Sequence, residues 1–244
     1  MADRLSPSSS DKWMVCTDWL NATRGLPNVS SVYAAEGTEA HKVLELCLRL
    51  KVGPHEVTDD ENMIDAVASA LSWIEDYVEQ TGAEIYPETP VNWSDRTEVG
   101  TGGTSDLVLV SPDELVVADY KHGRGVIVDP TQSSQLRLYL AGAIKKFGRR
   151  PSYKVVILQP RASGFQAVRS VDVTEQELAI FLEKAHHATE KNLSGTGERN
   201  AGDHCRFCTA AALCPALAER ALRAAVQEFE AAGDALGTGA DLGL

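Results

Sequence analysis

The stretch that most constrains this chain runs from Gly102 to Leu140, GGTSDLVLVSPDELVVADYKHGRGVIVDPTQSSQLRLYL. It reads as a glycine turn, a strand carrying Asp106, a tight turn at Ser111-Pro112-Asp113, and a second strand ending in Asp119-Tyr120-Lys121. The runs LVLV and LVVA are β-branched and apolar between turn residues, as buried strands are, and the short turn makes them an antiparallel hairpin. Strand side chains alternate faces, so Asp119 and Lys121 point one way and Tyr120 the other. The register can set Asp106 beside Asp119. Two adjacent carboxylates share a proton or bind a cation. Mg²⁺ or Mn²⁺ suits aspartate oxygens, a backbone carbonyl and water. The same tripeptide on an exposed hairpin would simply sit in solvent, so its neighbours decide the matter.

A polar loop follows, then a helix over 131–147 that places Gln135 and Tyr139 one turn apart on one face. Upstream, a helix over 31–51 carries Gly37-Thr38-Glu39-Ala40-His41, with Glu45 one turn on. Cys16 stands early, and Cys205-x-x-Cys208 with Cys214 stands late. Aspartate, then D-x-K, then Gln-x-x-x-Tyr, with a helical G-T-x-x-H before them and this cysteine pattern around them, resembles the PD-(D/E)xK nuclease superfamily in its RecB-like iron–sulfur exonuclease branch. The AEGTEAH and CRFC…CPA segments are most similar to a phage-encoded group related to CRISPR-associated iron–sulfur exonucleases.

The resemblance covers the chain from about Cys16 to Pro215. It implies an α/β fold in which a mixed central β-sheet is flanked by helices, a restriction-endonuclease-like core. It implies DNA as substrate and metal-dependent hydrolysis of phosphodiester bonds, most naturally by an exonuclease in phage recombination or replication. His41, Asp106 and Asp119 would be metal ligands, with the Tyr120 backbone carbonyl as a further one. Lys121 would position or activate water, and Gln135 and Tyr139 would orient the scissile phosphate. Glu45 stands as an outer partner for His41. Glu88 lies on an extended segment interrupted by two prolines and reads as a surface residue within reach of the metal.

Cys16, Cys205, Cys208 and Cys214 would carry a [4Fe–4S] cluster joining the N- and C-terminal segments. The alternative is a structural Zn²⁺ completed by His204. Cys47, set among leucines, reads as core. The partners implied are DNA and a phage single-strand annealing or binding protein. The rival readings are an endonuclease, or a DNA- or protein-binding module that keeps the fold without cutting.

Five cysteines are an odd number, which favours metal or free thiols over a disulfide framework. No apolar run reaches membrane length and the start is no signal peptide, so the cytoplasm is the expected location, and the resemblance implies that of an infected bacterial host. The formal net charge of −12 opposes nucleic-acid binding. The basic run Lys145 to Arg150, with Lys121, His122 and Arg124, then predicts a weak, salt-sensitive and partly metal-bridged grip. A helix over about 59–80 follows Thr58 or Asp59 as cap, and Thr174 with Glu177 predicts a capping box for a helix to about 193. The organisation expected is a flexible residue 1–10 start, one domain over 11–231 with cluster segments around 16 and 205–214, and a flexible acidic tail at 232–244. A short helix is expected from Ser10 or Asp11 to the glycine at 25. The glycines at 100–103 lack a following Gly-Lys-Ser/Thr and are read as a turn, not a nucleotide-binding loop.

Overall fold

The computed structural model describes residues 5–27, 32–96 and 100–237. The chain divides into two compact units where the sequence suggested one. The first takes Met1–Asp11 with Val29–His187, and the second takes Lys12–Asn28 with Ala188–Leu244. Among the described residues no helix is long and apolar enough to cross a membrane.

The first unit is α/β. Its five-stranded sheet runs β1 (Glu84–Asn92), β2 (Gly102–Val110), β3 (Glu114–Tyr120), β4 (Ser152–Leu158) and β5 (Val168–Asp172), in that spatial order. All neighbours are antiparallel except β3 and β4, so the sheet is mixed, as expected. The hairpin turn closes with the Ser111 N–H on the Glu114 carbonyl at 2.9 Å. A parallel pair needs a crossover, and α5 (Ser134–Phe147) supplies it between β3 and β4.

Alternation along the strands sorts the core. Leu107, Leu109, Val116, Ala118, Tyr120, Val156 and Leu158 pack with residues of α3 (Val32–Leu50) and α4 (Glu61–Thr81). The intervening Val108, Leu115, Val117, Val155 and Ile157 are also buried and face the other way, where α5 crosses the sheet. The most buried of these side chains each contribute about 1.5–3 kcal/mol relative to exposure. Cys47 is core, as expected, at 2% exposure.

Local chemistry moved several boundaries. α4 is capped by Asp60, whose carboxylate takes the Met63 N–H at 3.1 Å; Thr58 instead accepts the Asp60 N–H. The helix expected from 131 opens as a 3₁₀ turn at Pro130–Gln132 and becomes α5 only after Ser133 caps it. Gly102 and Gly103 belong to β2 and form no turn. The capping box at Thr174 and Glu177 does start α6 (Glu175–Ser194), with both reciprocal bonds made. The start of the chain is held from Leu5, which is fully buried and donates its N–H to the Gly100 carbonyl at 3.2 Å. Residues 1–4 lie outside the described set, as do residues 238–244 of the expected tail.

The helix expected from Ser10 to the glycine at 25 is broken into α1 (Ser10–Trp13), within which the division between the units falls, and α2 (Trp19–Thr23) in the second unit, with Cys16 between them. Distant hydrogen bonds override local propensity. Thr17 Oγ1 accepts the Glu198 N–H at 2.9 Å, the Asp18 N–H reaches the Glu198 carbonyl at 3.3 Å, and Arg199 Nε meets Asp18 Oδ2 at 2.8 Å. The buried Asn192 amide donates to the Trp13 carbonyl and accepts the Leu20 N–H. A Cβ at Gly197 would overlap the Thr17 carbonyl, where only backbone could give way. Gly197→Ala should therefore cost at least about 1–3 kcal/mol and lower the melting temperature by several degrees, read by calorimetry; an unchanged transition would contradict this packing. α7 (Pro215–Gly237) completes the unit.

Candidate active site

Three acidic residues stand across adjacent strands on one rung. β1 and β2 pair Pro87 with Leu107 and Thr89 with Ser105, which sets Glu88 across from Asp106. β2 and β3 pair Leu107 with Ala118, which sets Asp106 beside Asp119. Residues directly opposite in an antiparallel pair share a face. The ladder opens at this rung. Asp106 Oδ2 accepts the Tyr120 N–H at 2.8 Å, and Glu88 has φ +44°, a left-handed conformation unusual for a side-chain-bearing residue. Such strain costs about 1–3 kcal/mol and persists where surrounding structure holds it.

α3 brings His41 to the same place. Its Nδ1 lies 3.3 Å from Asp106 Oδ2, and its ring meets Tyr120 edge-on at 5.5 Å between centroids. His41, Glu88 and Asp106 each offer a ligand atom within 4.8 Å of the others. Among the described residues no other group of three or more His, Cys, Asp or Glu side chains converges this way.

Asp119 makes the second half of the site. It is 2% exposed, with Oδ2 2.7 Å from Lys121 Nζ and Oδ1 accepting Gln135 Nε2 at 2.8 Å. The next turn of α5 sets Tyr139, buried at 4% exposure, against Gln135 and the two aspartates. A Cβ at Gly103 would come within 2.9 Å of the Tyr139 ring, so the glycine there lets the ring approach β2.

The electrostatics follow from burial and crowding. Burial pushes the Glu88 carboxyl up to about 7, and the Asp106 charge adds to it. For His41, burial alone would lower the pKa, but the hydrogen bond and charge of Asp106 reverse this and leave it raised. Burial raises Asp119 against the opposing pull of Lys121, with Asp106 adding to the rise. Burial would depress Lys121, yet Asp119 holds its ammonium charged and its pKa above the usual lysine value. Protons and cations therefore compete for one small pocket of negative charge.

His41, Asp106, Asp119, Lys121, Gln135 and Tyr139 are thus gathered together. Other expectations shift. Glu88, read as a surface residue, joins the ion-sized set, because the β1–β2 register places it across from Asp106. Glu45 does not orient His41: Arg49 Nε takes its carboxylate at 2.7 Å and also reaches the Pro87 carbonyl. Gln135, expected to face a phosphate, donates instead to Asp119. The Tyr120 ring lies in the apolar core, its hydroxyl 2.9 Å from His122 Nδ1.

The basic run is largely engaged in structure. Lys145 pairs with Asp95 at 2.6 Å and Arg149 with Glu175 at 2.8 Å. Arg150 and Lys146 donate to the Ser111 and Pro90 carbonyls. Sequence reading missed Arg161, which pairs with Glu36 at 2.6 Å and touches His122 next to Lys121. Its only prior signal was its position just after β4, whose end lies beside that of β3.

Cys16 and the late triplet all belong to the second unit, but their sulfurs do not converge as a ligand set among the described residues. Cys16 and Cys205 are each 9% exposed. The Cys16 thiol is raised by burial, with further increments from Cys208 and Cys214, against backbone hydrogen bonds that lower it. His204 Nε2 lies 3.6 Å from Cys205 Sγ.

The structure is similar to several solved proteins. One is a Eubacterium rectale protein named "putative exonuclease", at 12% identity and a TM-score of 0.48, covering 84% of this chain and 87% of that one. Another is LHK-Exo in complex with dAMP, at 12% identity and 0.46, covering 80% and 90%. LHK-Exo is the alkaline exonuclease from Laribacter hongkongensis, whose other structure matches at 13% identity and a TM-score of 0.33, covering 80% and 94%. Likeness at this level decides nothing about activity, which rests on the site's own residues. The family match is of another order: residues 3–236 fit the model described as "Protein of unknown function (DUF2800)", and the chain belongs to that family.

Proposed function

We propose that the chain is a metal-dependent deoxyribonuclease of the PD-(D/E)xK type, acting as an exonuclease on DNA. The observation that carries this reading is the convergence of His41, Glu88 and Asp106 on one ion-sized space, beside a buried Asp119–Lys121 pair. Oxygen-rich ligands suit Mg²⁺ or Mn²⁺, and the imidazole favours Mn²⁺. His41, Glu88 and Asp106 would hold the ion, with Asp119 and the Tyr120 carbonyl as further ligands. A divalent cation supplies Lewis acidity there, polarising a phosphoryl oxygen and easing deprotonation of water.

The chain's own groups do the rest. The Lys121 ammonium positions the attacking water and offsets charge developing on the phosphate. Gln135 fixes the Asp119 carboxylate, and the Tyr139 hydroxyl stands one helical turn away to orient the phosphate. With a net charge of −12 and a basic run tied up in structure, the grip on DNA relies on the bound cation and is salt-sensitive.

Cys16, Cys205, Cys208 and Cys214 would hold a [4Fe–4S] cluster with a structural role in the second unit. Support comes from all four lying in that unit and from the influence of Cys208 and Cys214 on Cys16. The His204 contact with Cys205 favours the zinc alternative. A role in phage recombination or replication, in the bacterial cytoplasm beside an annealing or single-strand-binding protein, rests on the AEGTEAH and CRFC…CPA resemblance.

The test uses purified protein with end-labelled linear duplexes and closed circles, in Mn²⁺, Mg²⁺ or EDTA. Linear DNA should be degraded from its ends with either metal and remain intact in EDTA. Cutting of circles would make the enzyme an endonuclease, and intact DNA in both metals would overturn the nuclease reading. Metal analysis of the same preparation should find iron and sulfide in a brown protein; zinc in a colourless one would replace the cluster.

A further inference from the structure

α7 is a 23-residue helix whose residues 215–230 are mostly exposed. Leu222 is 66% exposed, Val226 47% and Phe229 80%. The neighbouring Phe207 and Leu213, also in the second unit, are 66% and 75% exposed. A helix this long spans about 34 Å at 1.5 Å per residue. A soluble chain seldom leaves an apolar stripe of this kind in water without a use for it.

The stripe has a regular composition. The sequence places Ala218 and Ala225 seven apart, and Leu222 and Phe229 seven apart. Together they step by four and three, the spacing of a helix–helix seam. In a parallel, in-register pair the large residues would meet one another and the alanines would meet across empty layers. In an antiparallel pair every layer matches one alanine with one Leu or Phe. Close packing without voids favours the second.

Charge agrees. The first half carries Glu219, Arg220 and Arg223, net positive although Arg223 pairs with Glu219 at 3.7 Å and Arg220 with Asp203 at 3.8 Å, while Glu228 and Glu230 make the second half negative. Antiparallel pairing brings each half near its opposite in a partner, and parallel pairing stacks like on like. These features describe a surface that complements itself about a two-fold axis.

We infer that the exposed face of α7 is a homodimer interface, on which the same helix of a second copy packs antiparallel. Phe229 and Leu222 are the anchors, each seated over an alanine of the other copy.

The test is sedimentation equilibrium of the full chain from about 1 to 200 µM, a range chosen to bracket micromolar affinity. The wild type should form a dimer with a dissociation constant in or below the micromolar range. Phe229→Glu should weaken it at least 100-fold, with the circular dichroism spectrum unchanged, and with the melting temperature equal to that of the wild type at concentrations too low for dimerisation, because that side chain lies in solvent in the free chain. Ala225→Leu distinguishes the orientations: it overfills an antiparallel layer and weakens the dimer roughly tenfold, but it would fill a parallel layer and tighten it. A monomer at every concentration would overturn the inference and leave the face to a different protein. A dimer indifferent to Phe229→Glu, or tightened by Ala225→Leu, would overturn it as well.

Discussion

Lys121→Ala is expected to slow DNA cleavage by roughly 10²–10³-fold, the usual cost of removing one preorganised charge-stabilising donor. Its ammonium sits 2.7 Å from Asp119, a carboxylate only 2% exposed. Without it Asp119 loses the charge that opposes burial, its pKa rises further, and it takes a proton where a carboxylate is needed. Under the proposed function two effects would act together: loss of the charge facing the phosphate and loss of the ionised state of Asp119 beside the metal. Asp119→Ala should do at least as much damage. Gln135→Ala should do less, because it removes one of two partners of that carboxylate. Single-turnover rates on end-labelled duplex at saturating Mn²⁺ measure all three, with melting curves confirming the fold. Cleavage at the wild-type rate by the Lys121 or Asp119 variant would remove those residues from the mechanism.

Metal affinity should fall steeply between pH 8 and pH 6. Burial and Asp106 push Glu88 up to about 7, and Asp106 holds His41 above the ordinary histidine value. Both groups carry protons at the acid end of this range, and both must lose them to bind an ion. Each proton displaced changes affinity about tenfold per pH unit, so the drop across the range should be roughly 100-fold or more. The signs agree for stability. Folded-state values above the unfolded ones give a contribution that is full at low pH and fades as pH rises through the folded value. The metal-free protein should therefore lose stability from pH 6 to pH 8, and Mn²⁺ should restore it. Titration calorimetry of Mn²⁺ in two buffers of different ionisation enthalpy reads the proton release directly. Affinity flat with pH, without proton release, would contradict this picture of the site. Glu88→Gln should flatten part of the pH response and weaken binding.

The parts of the site legible in the sequence were those set by local rules. Asp119 and Lys121 share a side because strands alternate, and the Ser111–Asp113 turn fixes the hairpin that neighbours Asp106 with Asp119. Thr174 and Glu177 announced a helix start because a capping box is complete within four residues. What was hidden depends on partners far along the chain. Glu88 enters the site through the β1–β2 register, which no local pattern states. Glu45 is drawn off by Arg49, itself anchored on the Pro87 carbonyl. The basic run around Lys145 looked available for phosphate until Asp95 and Glu175 met it. The early helix broke around Cys16 because Glu198, Arg199 and Asn192 offered its backbone and side chains better partners than a continuous helix would.

Crystals grown with Mn²⁺ and measured at the manganese absorption edge offer the most direct check. An anomalous peak should lie among His41, Glu88 and Asp106, with an imidazole nitrogen and carboxylate oxygens at about 2.1 Å and Lys121 still beside Asp119. A peak elsewhere, or none while His41 keeps its contact with Asp106, would contradict the metal site on which the proposed activity depends.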